Sequence, residues 1–159
     1  MLNWIEQKSA ELKAQKTELE KKARQEKKAE LHKQALGAMT VDELEMAVRH
    51  DIARWNELNP GYRRRIDGVM KLQPSGAFRV YKSSFPPASV EAVLDPESFC
   101  VTVETTRVRP GEKEQHTDRG HFILTAAKQG FWLTLESGKA VSFADASQVL
   151  LEPIIESMG

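Results

Sequence analysis

No glycine or proline occurs between Met1 and Leu36. That absence constrains the N-terminal part of this chain more tightly than any other feature. Ala, Glu, Gln, Lys and Leu, all strong helix formers, dominate the stretch. The sequence therefore predicts one helix from residue 4 to about residue 36. Asn3 stands at the N-cap position with Glu6 three residues on, the pattern of a capping box. Gly37 is placed to end the helix in a left-handed cap. About 33 residues at ~1.5 Å each give a rod of roughly 50 Å.

The apolar stripe on this rod is thin. Ile5, Leu12 and Leu19 recur every seven residues, but the intervening heptad positions, Ser9 and Lys16, are polar. Ala23, Leu31, Ala35 and Leu36 continue the stripe weakly. A self-standing coiled coil wants two apolar positions per heptad, and this rod offers about one. Glu18–Lys22 and Glu20–Arg24 at i,i+4 add a few tenths of a kcal/mol each, roughly.

A second helix is specified more strongly. Thr40-Val41-Asp42-Glu43 reads as a capping box. Val41, Leu44, Val48, Ile52, Trp55 and Leu58 then fall at steps of three and four, and Asn59-Pro60-Gly61 stops the pattern. With only Gly37-Ala38-Met39 between them, the two helices are expected to pack as antiparallel neighbours, a helical hairpin over residues 1–60. The second helix is about 27 Å long, roughly half the first. The part of the first carrying Trp4, Ile5, Leu12 and Leu19 would overhang. Those four residues are the expected oligomer contacts, to a second copy of the chain or to a helical segment of another protein.

After Gly61 the texture changes to short alternating runs bounded by Pro and Gly. The expected strands are Phe78–Lys82, Phe99–Val108, Phe122–Ala126, Phe131–Glu136 and Lys139–Phe143. Residues 62–70 suit a short helix or a first strand, and Val90–Leu94 a half-strand or a loop. Ser137-Gly138 and Lys128-Gln129-Gly130 read as hairpin turns, which makes the last three strands antiparallel. Residues 144 to about 157 read as a terminal helix with Val149, Leu150, Ile154 and Ile155 as its apolar face and Pro153 as a kink or break. The fold class is therefore α+β: a helical hairpin, then, over residues 61–159, an antiparallel sheet of about five strands with a C-terminal helix packed on one face.

Alternation sorts the sheet into two faces. Phe78, Val80, Phe99, Val101, Val103, Phe122, Leu124, Phe131, Leu133, Leu135, Val141 and Phe143 share the core face. The opposite face collects Arg79, Tyr81, Cys100, Thr102, Glu104, His121, Ile123, Thr125, Trp132, Thr134 and Glu136, an amphipathic mixture. Arg79, Tyr81, Glu104, His121 and Trp132 are its candidate ligand-binding residues, because convergent polar groups beside aromatics make a pocket.

Charge narrows the function classes. Lys plus Arg and Asp plus Glu both total 23, which argues against a wholesale nucleic-acid or membrane-surface binder. The balance is segmental, however. Residues 1–36 carry nine basic and six acidic side chains, and residues 61–82 carry six and one. The second block makes Arg63, Arg64 and Arg65 candidate anion or nucleic-acid contacts, supported by Lys71, Arg79, Tyr81 and Lys82. No RNP-like run accompanies them, and the arginines can equally pair with Asp42, Glu43, Glu45, Asp51 and Glu57. Nucleic acid is the less favoured partner.

Catalytic signals are absent. Cys100 rules out an intramolecular disulfide, being alone, and a strand cysteine reads as a small packed residue even with His121 on the same face. The polar loop over residues 109–120 offers His116 and Asp118, with His121 just beyond it, at a spacing that matches no metal motif. Gly76 stands alone, so no phosphate loop is present, and Glu104 and Glu136 share a face at an unspecified distance. No cofactor and no metal are expected. No apolar run approaches ~20 residues, and the first residues lack the basic start and apolar stretch of a signal peptide, so a cytoplasmic address is expected. The reading that results is an interaction or scaffold protein that self-associates through its helices and presents a sheet face to partners. A small-ligand or enzymatic domain on that face is the alternative, and nucleic-acid binding through residues 61–82 a weaker one.

Overall fold

The computed structural model describes residues 3–109, 111–128 and 130–158. Its first helix, α1 (Trp4–Leu58), is continuous, so the expected helical hairpin does not form. The N-terminal capping box is present: Asn3 Oδ1 accepts from Glu6 N at 2.9 Å and Glu6 Oε2 accepts from Asn3 N at 3.2 Å. Gly37 does not cap. A Cβ there would stand 2.9 Å from Phe99 Cε2, so the missing side chain is the space the Phe99 ring occupies. A glycine inside a helix costs only about 1 kcal/mol relative to alanine, and this contact offsets it. Thr40 is likewise interior: its hydroxyl donates back to the Leu36 carbonyl at 2.9 Å. Asp42 accepts from Ser75 Oγ at 2.6 Å and Gly76 N at 3.0 Å instead of opening a helix.

The chain divides into two compact units, residues 1–35 and 36–159. In the first, every described residue up to Lys33 is exposed. In the second, residues 36–58, assigned from sequence to the helical half, belong with the sheet. The stripe holds: Val41, Leu44, Val48 and Ile52 are buried and Trp55 is packed against the core, whereas Leu58 is exposed. Full burial of such a side chain contributes roughly 1.5–3 kcal/mol. Glu45 shares this face as a buried carboxylate, accepting from Arg49 Nε at 2.9 Å and Lys71 Nζ at 3.1 Å.

A turn of 3-10 helix (Tyr62–Arg64) leads into seven strands: β1 (Gly68–Lys71), β2 (Ala77–Lys82), β3 (Ala88–Asp95), β4 (Cys100–Val108), β5 (Gln115–Ala127), β6 (Gly130–Thr134) and β7 (Ala140–Val141). They form one antiparallel meander in sequence order. Two of the seven were not expected as full strands. Residues 62–70 divide between the 3-10 turn and β1, and the half-strand at Val90–Leu94 is the middle of an eight-residue strand, β3. Strand β7 is shorter than Lys139–Phe143 because Ser142 becomes the N-cap of α2 (Phe143–Glu156), accepting from Asp145 N at 3.0 Å. Phe99 precedes β4 rather than opening it, with a positive φ of 53°, and its ring meets that of Phe131 edge-on at 4.8 Å.

The turn at Ser137-Gly138 forms as expected, with Leu135 N donating to the Lys139 carbonyl at 2.9 Å and Gly138 at φ 88°. Of the other expected turn, Gln129 lies outside the described residues, while Ala127 and Gly130 on either side are register partners. The polar loop is shorter than read, because β5 already begins at Gln115. Cross-strand side-chain bonds hold that extension: Thr106 to Thr117 at 3.2 Å and Arg109 to Asp118 at 2.8 Å. Pro110, within the loop, lies outside the described residues.

The core face is the one alternation assigned: Phe78, Val80, Phe99, Val101, Phe122, Leu124, Leu133 and Val141 are buried, with Val103, Phe131, Leu135 and Phe143 packed against them. Helix α2 lies on β3, β4 and β7. Pro153 sits inside it without splitting it. Leu150, Leu151 and Ile154 are buried, whereas Val149, expected on the apolar face, remains 44% exposed.

Candidate functional site

Strand register places the candidate residues of the outer sheet face. Arg79, Glu91, Glu104 and Arg119 form one row across β2, β3, β4 and β5. Two glutamates stand side by side in the middle with an arginine at each end. Each arginine meets its glutamate at 3.9 Å, Arg79 with Glu91 and Arg119 with Glu104. His121 lies opposite Thr102 and pairs through Nδ1 with Glu136 at 2.9 Å. Trp132, opposite Thr125, is 57% exposed.

The five candidate ligand residues thus share a face but not a pocket. Neighbouring strands lie about 4.8 Å apart, which puts Arg79 on β2 and Trp132 on β6 roughly 19 Å apart across the sheet. Arg79 and Tyr81 line a cleft of about 280 Å³ beside Ser89 and Thr106. His121 lines one of about 490 Å³. Trp132 lines one of about 520 Å³ with Glu43, Phe131 and Phe143. Glu104 and Glu136 are occupied by different partners, Arg119 and His121. Cys100 faces Ile123 rather than His121, and its thiol donates to the Ser98 carbonyl at 3.5 Å.

The basic block is also dispersed. Arg63, Arg64 and Arg65 are exposed, and among the described residues none is in an ion pair. Trp55 Nε1 fixes this turn by donating to the Arg64 carbonyl at 2.6 Å. Lys71, however, is engaged by Glu45. Lys82 is buried, its ammonium donating to the carbonyls of Ser84 at 2.9 Å and Pro86 at 2.8 Å. Burial holds the Lys82 pKa below the ordinary lysine value, and the nearby Asp67 carboxylate opposes that shift.

His116, Asp118 and His121 do not converge: His116 pairs with Glu112, Asp118 with Arg109 and His121 with Glu136. Among the described residues no group of three His, Cys, Asp or Glu side chains is arranged to hold a metal ion. No helix among them is long and apolar enough to cross a membrane.

The helical candidates are all on the surface. Trp4, Ile5, Leu12 and Leu19 are 74%, 58%, 56% and 68% exposed. Trp4, Ile5 and Leu12 share one shallow groove with Lys8, Lys13 and Lys16. Sequence reasoning missed two features: Glu91 and the buried Lys82. Glu91 was legible from the alternation of Val90, Ala92 and Leu94 with Ser89 and Glu91. Nothing in the sequence marks Lys82 as buried, since its carbonyl partners belong to a loop. Comparison with family models, with curated proteins and with solved structures finds no match.

Proposed function

We propose that the protein is a self-associating interaction module: the N-terminal segment of α1 pairs with the same segment of a second copy, and the sheet domain presents its surface to a partner. The observation that carries this reading is the series Ile5, Leu12 and Leu19, spaced by seven and exposed on a segment where no residue up to Lys33 is buried. A helix that is polar around most of its circumference gains little from packing within its own chain and needs side-chain pairs or a partner to persist. Intrachain support here is slight. Lys8–Glu11 at 3.8 Å is exposed at both ends, and such pairs contribute about 0.2–0.5 kcal/mol. A second copy supplies the same stripe at no further requirement of sequence, and closed symmetric pairs are the commonest assembly.

The test is light scattering on the full chain beside its Leu12→Glu, Leu19→Glu double variant, with absorbance followed at 260 and 280 nm. Self-association gives a mass of two or more chains for the parent and one for the variant, with unchanged near-ultraviolet circular dichroism from the sheet domain. A monomeric parent, or a variant that keeps the higher mass, contradicts the proposal. Excess absorbance at 260 nm would favour the nucleic-acid reading through Arg63, Arg64 and Arg65.

A further inference from the structure

Over residues 115–122, one edge of strand β5 has no strand paired to it among the described residues. The strand has 13 residues. β4 pairs with it over Gln115–Ile123, but β6 reaches its other side only from Ile123 onward. The direction of each backbone group follows from the ladder. Leu94 N donates to the Gly76 carbonyl at 2.9 Å, so Leu94 faces β2 and Val93 faces β4. Antiparallel hydrogen bonding alternates residue by residue. Carried through the register, Val103 and Thr105 exchange bonds with Gly120 and Asp118, while Thr117, Arg119 and His121 turn their N–H and C=O groups to the open edge. The same alternation aims Ile123 at its β6 partner, Thr134, as the register requires.

Beside this edge lies the cleft of about 490 Å³. Residues 118–122 form one wall and Val103, Leu135, Val149 and Pro153 supply apolar surface; the carboxylates that also line it, Asp118 and Glu136, are held by Arg109 and His121. Gly120 belongs to the core face, yet a Cβ there would meet nothing within 4 Å. A glycine within a strand commonly marks close approach of another backbone or a ligand. Gly120 and the exposed Val149 line the same cleft.

We infer that this edge and cleft take up an extended segment of another protein, which adds as a strand along Thr117, Arg119 and His121, seats an apolar side chain over Gly120, and sets a carboxylate opposite Arg119. Strand addition of this kind draws affinity from main-chain bonds and specificity from alternate side chains. The charge preference comes from Arg119. Arg109 and His121 each hold a carboxylate within 2.9 Å, whereas among the described residues the nearest carboxylate to Arg119 is that of Glu104, a looser pair at 3.9 Å, and the Arg119 side chain is 81% exposed. A second copy of β5 fits less well. The two antiparallel registers of longest overlap set either the two Asp118 or the two Arg119 side chains directly opposite, and like charges so placed are destabilising. The surface lies wholly within residues 36–159 and does not depend on pairing through α1.

The test uses the full chain and capped octapeptides alternating glutamate with valine, leucine, isoleucine or phenylalanine. Controls carry lysine for glutamate, or N-methyl groups on alternate amides. Hydrogen exchange of the 115–122 fragment is read with fluorescence-detected binding. Without peptide, the Thr117, Arg119 and His121 amides exchange fast and those of Asp118, Gly120 and Phe122 slowly. At least one acidic peptide binds with Kd below about 1 mM and slows the first set about tenfold or more, while the N-methylated version does not. Gly120→Val, whose Cβ would meet nothing within 4 Å, keeps the thermal midpoint and weakens binding by about tenfold or more. Arg119→Glu reverses the preference toward the lysine peptide. Failure of every acidic peptide to bind overturns the inference, as does binding without protection of those amides. So does protection that rises with chain concentration when no peptide is present, which would mean self-pairing of β5.

Discussion

Gly37 and Phe99 form a matched pair. The ring occupies the volume that a side chain on the helix would need; Phe131 meets the ring edge-on, and Leu124 Cδ1 would stand 3.4 Å from the same Cβ. Overpacking a core costs typically about 1–3 kcal/mol, and alanine returns roughly 1 kcal/mol of helix propensity. Gly37→Ala is therefore expected to lower stability by about 1 kcal/mol in denaturant titration, and a stabilised variant would show that the ring moves freely. Lys82 gives a pH dependence of definite sign. Its folded-state pKa lies below the ordinary 10.5, so between those two values the unfolded chain binds more protons, and stability rises with pH. The stability of the parent relative to Lys82→Met should increase as pH climbs toward 10.5, measured by urea unfolding at successive pH values. A difference that is flat or falls with pH would refute the burial of the ammonium. Neither feature was legible in sequence, because each depends on what the fold brings against the residue: Gly37 has the composition of a helix stop, and Lys82 that of a solvated strand end.

At the scale of elements, period was the reliable signal. The three-and-four spacing from Val41 to Ile52 and the two-residue alternation of Phe78, Val80, Phe122 and Leu124 fixed which faces are buried, since those periods follow from backbone geometry. Lateral position was not recoverable. Alternation puts Arg79 and Trp132 on one face, but only strand order shows that four strand spacings separate them. Helix α1 combines two different segments. Residues 41–52 are anchored in the core, and residues 4–33 are exposed throughout. Hydrogen exchange should separate them: amides of 41–52 protected at every concentration, those of 4–33 protected only where chains associate. Equal protection of both segments in dilute solution would mean that the exposed helix persists alone.

For the whole molecule, the two compact units have different needs. Residues 36–159 contain the buried core, both faces of the sheet and α2. Residues 1–35 contain a helix with an apolar stripe and no buried residue among those described. The sheet domain is thus expected to fold without the N-terminal segment, and removal of residues 1–30 should leave its thermal unfolding cooperative while lowering the mass in solution. A chain that unfolds on this truncation would place part of the core's support in the deleted helix. The most direct measurement is sedimentation equilibrium of the full chain over a dilution series, with helical ellipticity read at each concentration. Self-association through α1 requires a mass of two or more chains at high concentration, falling to one together with the ellipticity. A single-chain mass across the whole range, with constant ellipticity, would contradict it.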